Sequence, residues 1–270
     1  MPDIKKYRVP TKGKVSLASY DPAATPFAHG SIKDQENDLK ALNKQLAELL
    51  RPLQGEAKRS VLLVLQGTDA SGKDGTVRGV FKYATPLSVR VSAFKSPSKD
   101  ELAHDYLWRC HAVVPARGEV GVWNRSHYED VLVPVVNGWI DKDTTQQRYR
   151  QINDFERLLA ENGTTVLKCM LHISKDEQRT RLQERIDVPE KRWKFSLGDL
   201  DVRNQWADYQ QAYEDLLEAT STTHAPWYVI PANDKLHRNL MINTLLNHTL
   251  QDMAPQYPVD FPELKGLKVE

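Results

Sequence analysis

Cysteine is scarce in this chain: Cys110 and Cys169 are the two among 270 residues. A pair cannot build a disulfide framework, and their spacing is not that of a metal-binding pair. They fit a reducing cytoplasm as small buried apolar groups. No apolar run approaches the roughly 18 residues of a membrane span, so no membrane partner is expected. Residues 1–14 mix charge with proline and lack the apolar centre of a secretion signal. An excess of either charge is missing too, with 37 lysines and arginines against 36 acidic residues. By itself that balance implies no polyanionic partner such as a nucleic acid, so any anion-binding surface must come from local clustering. The eight histidines form no H-E-x-x-H pattern and no Cys/His pairs. Repeats and low-complexity segments are absent. A soluble cytoplasmic protein is expected, long enough for one large α/β domain or two small ones.

What is present starts with Gly67-Thr68-Asp69-Ala70-Ser71-Gly72-Lys73-Asp74, between the apolar run 61–65 and a predicted helix. It departs by one residue from the phosphate-loop pattern G-x-x-x-x-G-K-[ST], whose last hydroxyl holds magnesium. Backbone N–H groups from Gly67 to Lys73, with the N-terminus of the following helix, form a nest for an anion, and Gly75 lies in its first turn. Lys73 adds a point charge between two phosphates. The bland alternative is a glycine-containing turn that binds nothing. Asp69 would repel phosphate unless a cation intervened, and magnesium is the obvious hard cation; otherwise Asp69 is a solvated loop residue or a cap. Asp74 reads as a helix cap more readily than as a metal contact.

Strands and helices alternate along the chain. Periodicity predicts helices over 34–53 (ended by Pro52 and Gly55), 73–83, 99–111, 144–160, 201–219 and 235–252, with a further helix capped by Ser174 and Glu177. Strands are predicted over 60–66, 89–94, 119–123, 164–173 and 227–230. Residues 1–30 read as an extended arm lying on the body, and Pro255 onward as a tail. The expected fold is α/β, a parallel doubly wound sheet in a single domain. Its parts are an N-terminal arm and helix over 1–57, a core over 58–235 and a C-terminal helix and tail over 236–270.

Two further segments carry chemistry. The third strand ends at Asn124, where a Walker-B strand normally delivers an aspartate beside the phosphates. Arg125 follows at the edge where such sheets place ligands. Glu129 and Asp130 can restore the missing negative charge, or can be an ordinary acidic first turn. Arg179, Arg181, Arg185, Lys191, Arg192 and Lys194, interleaved with Trp193 and Phe195, then form a basic stretch. Arg181 and Arg185 share a helix face. Pro189 and Gly198 give residues 180–203 the composition of a mobile lid, whose arginines would stabilise a transferred phosphoryl group. A solvated helix face is the alternative. Lys95 and Ser96 lie on the ligand edge and either touch phosphate or make a plain turn. Asp105, Arg109 and Arg117 are weaker candidates for the acceptor side, and His127 reads as structural.

Taken together, the loop GTDASGKDG, the strand end VWNRSHYEDVL and the segment LQERIDVPEKRWKFSLGDL resemble the polyphosphate kinase 2 family. The likeness runs from roughly residue 30 to residue 250. It implies a P-loop kinase fold, thymidylate-kinase-like, with three α/β/α layers, a parallel sheet and a helical lid. It also implies transfer of the terminal phosphate of inorganic polyphosphate to AMP or ADP, with guanine nucleotides as further acceptors. By motif position Asp69 and Asp130 are the implied metal ligands, for Mg²⁺ with Mn²⁺ as a substitute. Gly67, Ala70, Ser71, Gly72, Lys73, Asp74 and Gly75 cradle phosphate. Arg181, Arg185, Lys191, Arg192 and Lys194 fall where the family closes over polyphosphate, and Glu129 beside the acceptor and metal site; Asn124 is a further candidate for binding and Arg125 for catalysis. The combination of Asn124 with Glu129-Asp130-Val131-Leu132 resembles the branch that uses both AMP and ADP. A homo-oligomer is implied as well. The rival readings are an ATP-dependent nucleoside monophosphate kinase, and a non-catalytic polyphosphate binder for which the lost strand-end carboxylate is the best argument.

Overall fold

The structure is a computed structural model that describes residues 4–269. Its five strands are β1 (Ser60–Gln66), β2 (Val89–Ala93), β3 (Val120–Asn124), β4 (Thr164–His172) and β5 (Trp227–Pro231). All neighbours pair in parallel, in the order β2-β3-β1-β4-β5. β1 is central because its run is apolar on both faces, and every residue of it is buried. Leu62 and Val64 face one core, Val61, Leu63 and Leu65 the other, the period-two alternation of a strand. Leu65 lies level with Asn124 of β3 and Cys169 of β4. The strands therefore deliver their following loops to one edge.

Ten α-helices are found among the described residues: α1 (Ile32–Glu56), α2 (Lys73–Val80), α3 (Lys99–Leu102), α4 (Trp108–His111), α5 (Glu129–Val136), α6 (Lys142–Glu161), α7 (Lys175–Asp187), α8 (Gly198–Asn204), α9 (Trp206–Thr220) and α10 (Lys235–Met253). The expected α/β alternation with a parallel sheet is what is observed. Three helices differ from expectation. α1 runs through Pro52 to Glu56, because buried Leu50 and Leu53 hold its last turns on the body. The helix expected over 99–111 is two single turns. Asp105 accepts from the Leu107 N–H at 3.0 Å, the local competition by which aspartate interrupts a helix. The helix expected over 201–219 breaks at Gln205, outside helical geometry at φ −88°, ψ 24°. On one side α8 is tied to the lid through Asp199; on the other, Tyr213, Leu216 and Leu217 bury α9 in the core.

The arm expected over 1–30 lies on the body for its described part, residues 4–30; residues 1–3 lie outside the described residues. Val9 donates to the Trp227 carbonyl at 2.8 Å, and Arg8 bridges Tyr228 in antiparallel fashion, covering the β5 edge. On the opposite side of the sheet from α1, Lys168 of β4 is fully buried and donates to Glu156 of α6 at 2.5 Å and to the Tyr128 hydroxyl at 2.8 Å. Burial alone would raise the Glu156 carboxyl, but Lys168 and His127 outweigh it and hold it below the usual carboxylate range. Lys168→Met is expected to destabilise the fold by about 3–5 kcal/mol, because it strands the Glu156 charge; urea unfolding checks it, and a loss below about 1 kcal/mol would show that the pair contributes little.

Candidate active site

Phosphate-loop geometry follows from where β1 ends. Gly67 has φ 146°, and a Cβ there would stand 2.7 Å from the Leu171 carbonyl of β4. Its N–H donates to the Tyr213 hydroxyl at 3.1 Å. Ala70 and Gly72 follow at positive φ, which turns the chain into α2. Lys73 is the first residue of that helix, and its ammonium donates to the carbonyls of Gly67 at 2.7 Å and Thr68 at 3.2 Å. Burial, then nearby Arg125, pulls its pKa down to about 8.

The β3 strand end faces this loop. Arg125 sits in the left-handed region at φ 63°, a strained position for a non-glycine residue of the kind concentrated at functional sites. Its guanidinium donates to Asp69 at 2.7 Å and approaches Glu129 at 3.9 Å. Glu129 also accepts from Gln66 at 3.2 Å, and burial raises its carboxyl above the usual range. Asp130 is paired with Arg109 at 2.8 Å, and Arg148 donates to its carbonyl.

The two residues that depart from the standard phosphate-binding pattern touch each other. The Asn124 amide donates to one oxygen of Asp74 at 2.6 Å, and Lys194 of the lid reaches the other at 3.4 Å. The negative charge usually found at the strand end has moved to the start of α2, where the helix dipole favours it. Burial raises the Asp74 carboxyl, but Asn124 and Lys194 outweigh it and hold it below the usual range. Since Asp74 is half exposed, the Lys194 contact contributes only about 0.5 kcal/mol. Asp74→Asn is thus expected to leave stability unchanged and to speed tryptic cleavage within 189–194 of the donor-free protein about two- to threefold; an unchanged rate would show that Asp74 does not hold the lid.

The basic segment is divided in its roles. All five donors of Arg181 are engaged: with Glu177, with the carbonyls of Ala70 and Ser71 in the loop, and with those of Ala232 and Asn233. A guanidinium has five N–H groups, so Arg181 brackets the phosphate loop and, although it borders the same cavity as Arg185, has no N–H left for a ligand. Arg185 bonds the Lys194 carbonyl and Asp199, Lys191 pairs with Glu184, and the side chains of Arg185, Lys191 and Lys194 line a cavity. Arg192 does not: it is exposed and donates to the Ile186 carbonyl. The 3₁₀ turn at Pro189–Lys194 points it away from the cavity lined by its neighbours.

Two cavities meet here. One, of about 630 Å³, is lined by Asp69, Ala70 and Gly72 to Gly75 of the loop and by Arg78, Arg185, Lys191, Lys194 and Arg238, whereas Ser71 is fully buried behind it. The other, of about 820 Å³, has a charged end at Asp69, Arg109, Arg125, Glu129 and Asp130 and an apolar end at Leu132, Val133, Pro134, Trp139 and Ile140. Asp69, Phe94, Lys95 and Arg125 line both. Of the weaker candidates, Lys95 and Arg109 reach the site; Arg117 is exposed at the amino end of β3 and lines neither cavity. His127 is fully buried on Glu156 at 3.2 Å and touches no substrate space. Arg78, Arg148, Tyr213 and Arg238 were missed, because side chains from α2, α6, α9 and α10 converge only in three dimensions. No helix among the described residues is long and apolar enough to cross a membrane.

A phosphate loop at the head of a parallel sheet, facing a strand-end arginine and a basic lid, defines a P-loop phosphotransferase. Residues 30–258 match the family model of polyphosphate kinase 2, and the chain belongs to that family. It is 51% identical to the AMP/ADP-polyphosphate phosphotransferase of Meiothermus ruber, over 98% of this chain and 99% of that one. It is 40% identical to the ADP-polyphosphate phosphotransferase of Rhodopseudomonas palustris, over 96% of this chain and 93% of that one. The crystal structure of polyphosphate kinase 2 from Arthrobacter aurescens superposes with a TM-score of 0.91 at 43% identity, covering 97% of this chain and 94% of that one.

Proposed function

We propose that the protein transfers the terminal phosphate of inorganic polyphosphate to AMP and to ADP, reversibly and without a covalent enzyme intermediate. The observation that carries this reading is the meeting of a cationic cavity with a half-apolar one at Asp69 and Arg125. The first suits a phosphate chain, the second a nucleotide whose phosphate reaches the shared wall while its base meets the apolar end. An acceptor phosphate oxygen is already anionic, so attack needs no strong base, and catalysis rests on position and charge. Lys73, Arg185, Lys191 and Lys194 hold the donor. Arg125 orients Asp69 and faces the junction, and Arg109 holds Asp130 on the acceptor side.

A divalent cation suits these donors. Arg125 engages one oxygen of Asp69 and Arg109 one oxygen of Asp130, and a carboxylate has two. Among the described residues no three His, Cys, Asp or Glu side chains gather into an all-protein site. Magnesium is commonly held by one or two carboxylates with substrate phosphates completing its shell. Asp69 and Asp130 would hold Mg²⁺, or Mn²⁺ in its place, and the bound ion would offset charge between donor and acceptor.

One assay decides between the readings: purified protein, magnesium, AMP or ADP, and polyphosphate as the sole phosphoryl donor. ATP from ADP and ADP from AMP are expected. Activity with ATP alone as donor would favour the nucleoside monophosphate kinase, and binding without turnover the non-catalytic protein. GMP and GDP in the same assay test the guanine acceptors. A cytoplasmic homo-oligomer belongs to the same proposal, and light scattering tests its assembly.

A further inference from the structure

We infer that Arg238 of α10 belongs to the donor site, as a buried positive charge that the fold leaves without an ion-pair partner until a phosphate chain binds. The inference rests on the reading that the cationic cavity takes the donor.

Arg238 is 2% exposed and lines that cavity. Its Nε and Nη2 both donate to the Asn239 side-chain oxygen, at 3.2 and 3.0 Å, and its Nη1 to the Ser71 carbonyl at 3.4 Å. Three of five donors are thereby used. Among the described residues no carboxylate oxygen lies within 4.0 Å of it. Of the charges that act on it, Arg181 repels and Asp234 attracts without coming within ion-pair distance, and burial together with Arg181 outweighs Asp234 and pulls the Arg238 pKa down to about 10. Burying a charge without a partner is costly.

A structural role does not account for the charge. Arg181 already donates to the same Ser71 carbonyl at 3.0 Å, and a neutral donor would serve Asn239 as well. The loop is also shaped around the guanidinium. A Cβ on Gly72 would fall 2.1 Å from Arg238 Nη1, and one on Gly75 would fall 3.3 Å from Nη2. Gly75 lies inside α2, where glycine costs about 1 kcal/mol relative to alanine. Both glycines let the cation approach the backbone that cradles phosphate, and the partner chemistry it lacks is that of a polyanion.

The test pairs binding of end-labelled polyphosphate with thermal unfolding of the phosphate-free protein, for wild type, Arg238→Met and Arg238→Lys. Arg238→Met is expected to bind polyphosphate about tenfold or more weakly, as for loss of one charge-assisted contact. It should leave the KM for nucleotide unchanged and melt no lower than wild type. Arg238→Lys should recover most of the affinity, since it keeps the charge and loses the fork of hydrogen bonds. Wild-type affinity in Arg238→Met would overturn the inference alone, as would equal weakness and a lowered melting temperature in both variants. A wild-type protein that binds no polyphosphate would overturn the donor reading and this inference with it.

Discussion

Asp69→Asn is expected to lower turnover with polyphosphate and ADP by roughly 10²–10³-fold, the scale on which removal of one preorganised electrostatic group acts. The change is isosteric and lies in a loop whose shape is set elsewhere. Gly67 and Gly72 supply the turns, Lys73 closes the ring of carbonyls, and Arg181 brackets Ala70 and Ser71 from behind. Polyphosphate should therefore bind the variant at least as tightly as wild type, because a negative charge beside the donor is gone. The partner of Asp69 is Arg125, at 2.7 Å. Without the carboxylate Arg125 loses its orientation, and the proposed cation loses one of two protein ligands. The magnesium concentration for half-maximal rate should rise in parallel with the loss of turnover. Asp69→Asn with intact turnover and an unchanged magnesium dependence would remove Asp69 from the metal site. Asp130→Asn gives the complementary result on the acceptor side, since it strands Arg109, which is 7% exposed.

The sequence pattern predicts the order of strands and helices because β1 is apolar on both faces and because the amphipathic helices are long. The interruptions at Asp105 and Gln205 escape it, since each is a local event within a segment whose average still reads as helix. The phosphate loop was legible for a similar reason: its glycines, lysine and position after a strand are all local features. The distribution of roles among the arginines was not. Arg181 and Arg185 share a helix face, as their spacing requires, and both border the cavity, yet Arg181 spends all five donors on Glu177 and four backbone carbonyls while Arg185 bonds Asp199 and one carbonyl. Periodicity assigns a face, whereas the available partners decide what the end of a long side chain does. Asp74 and Asn124 show the same limit. Taken singly each looks like a loss; their 2.6 Å contact makes them one rearranged pair, with the carboxylate on the helix and the neutral amide on the strand.

Lys73→Met should have the largest effect of all, a loss of roughly 10³-fold or more in rate, since charge on a transferred phosphoryl is worth roughly 10³–10⁵ when met by a single cation. Its pH behaviour separates this lysine from the other cations. Burial brings the Lys73 pKa from 10.5 to about 8 in the folded protein, a displacement that corresponds to about 3 kcal/mol against the fold at neutral pH. The folded value lies below the unfolded one, so between about pH 8 and 10.5 the unfolded chain binds more protons. Stability therefore rises with pH across that window as this penalty is relieved. Function moves the other way: kcat/KM for polyphosphate should fall as pH rises through about 8, because the free enzyme loses the ammonium that meets the donor. In Lys73→Met the Lys73 contribution to both trends should vanish, with stability at pH 7 equal to or above that of wild type. Saturating polyphosphate should push the wild-type inflection upward, since bound phosphate favours the charged lysine. An inflection near pH 8 that survives in Lys73→Met belongs to another group, and would show that the buried ammonium is not the charge the donor requires.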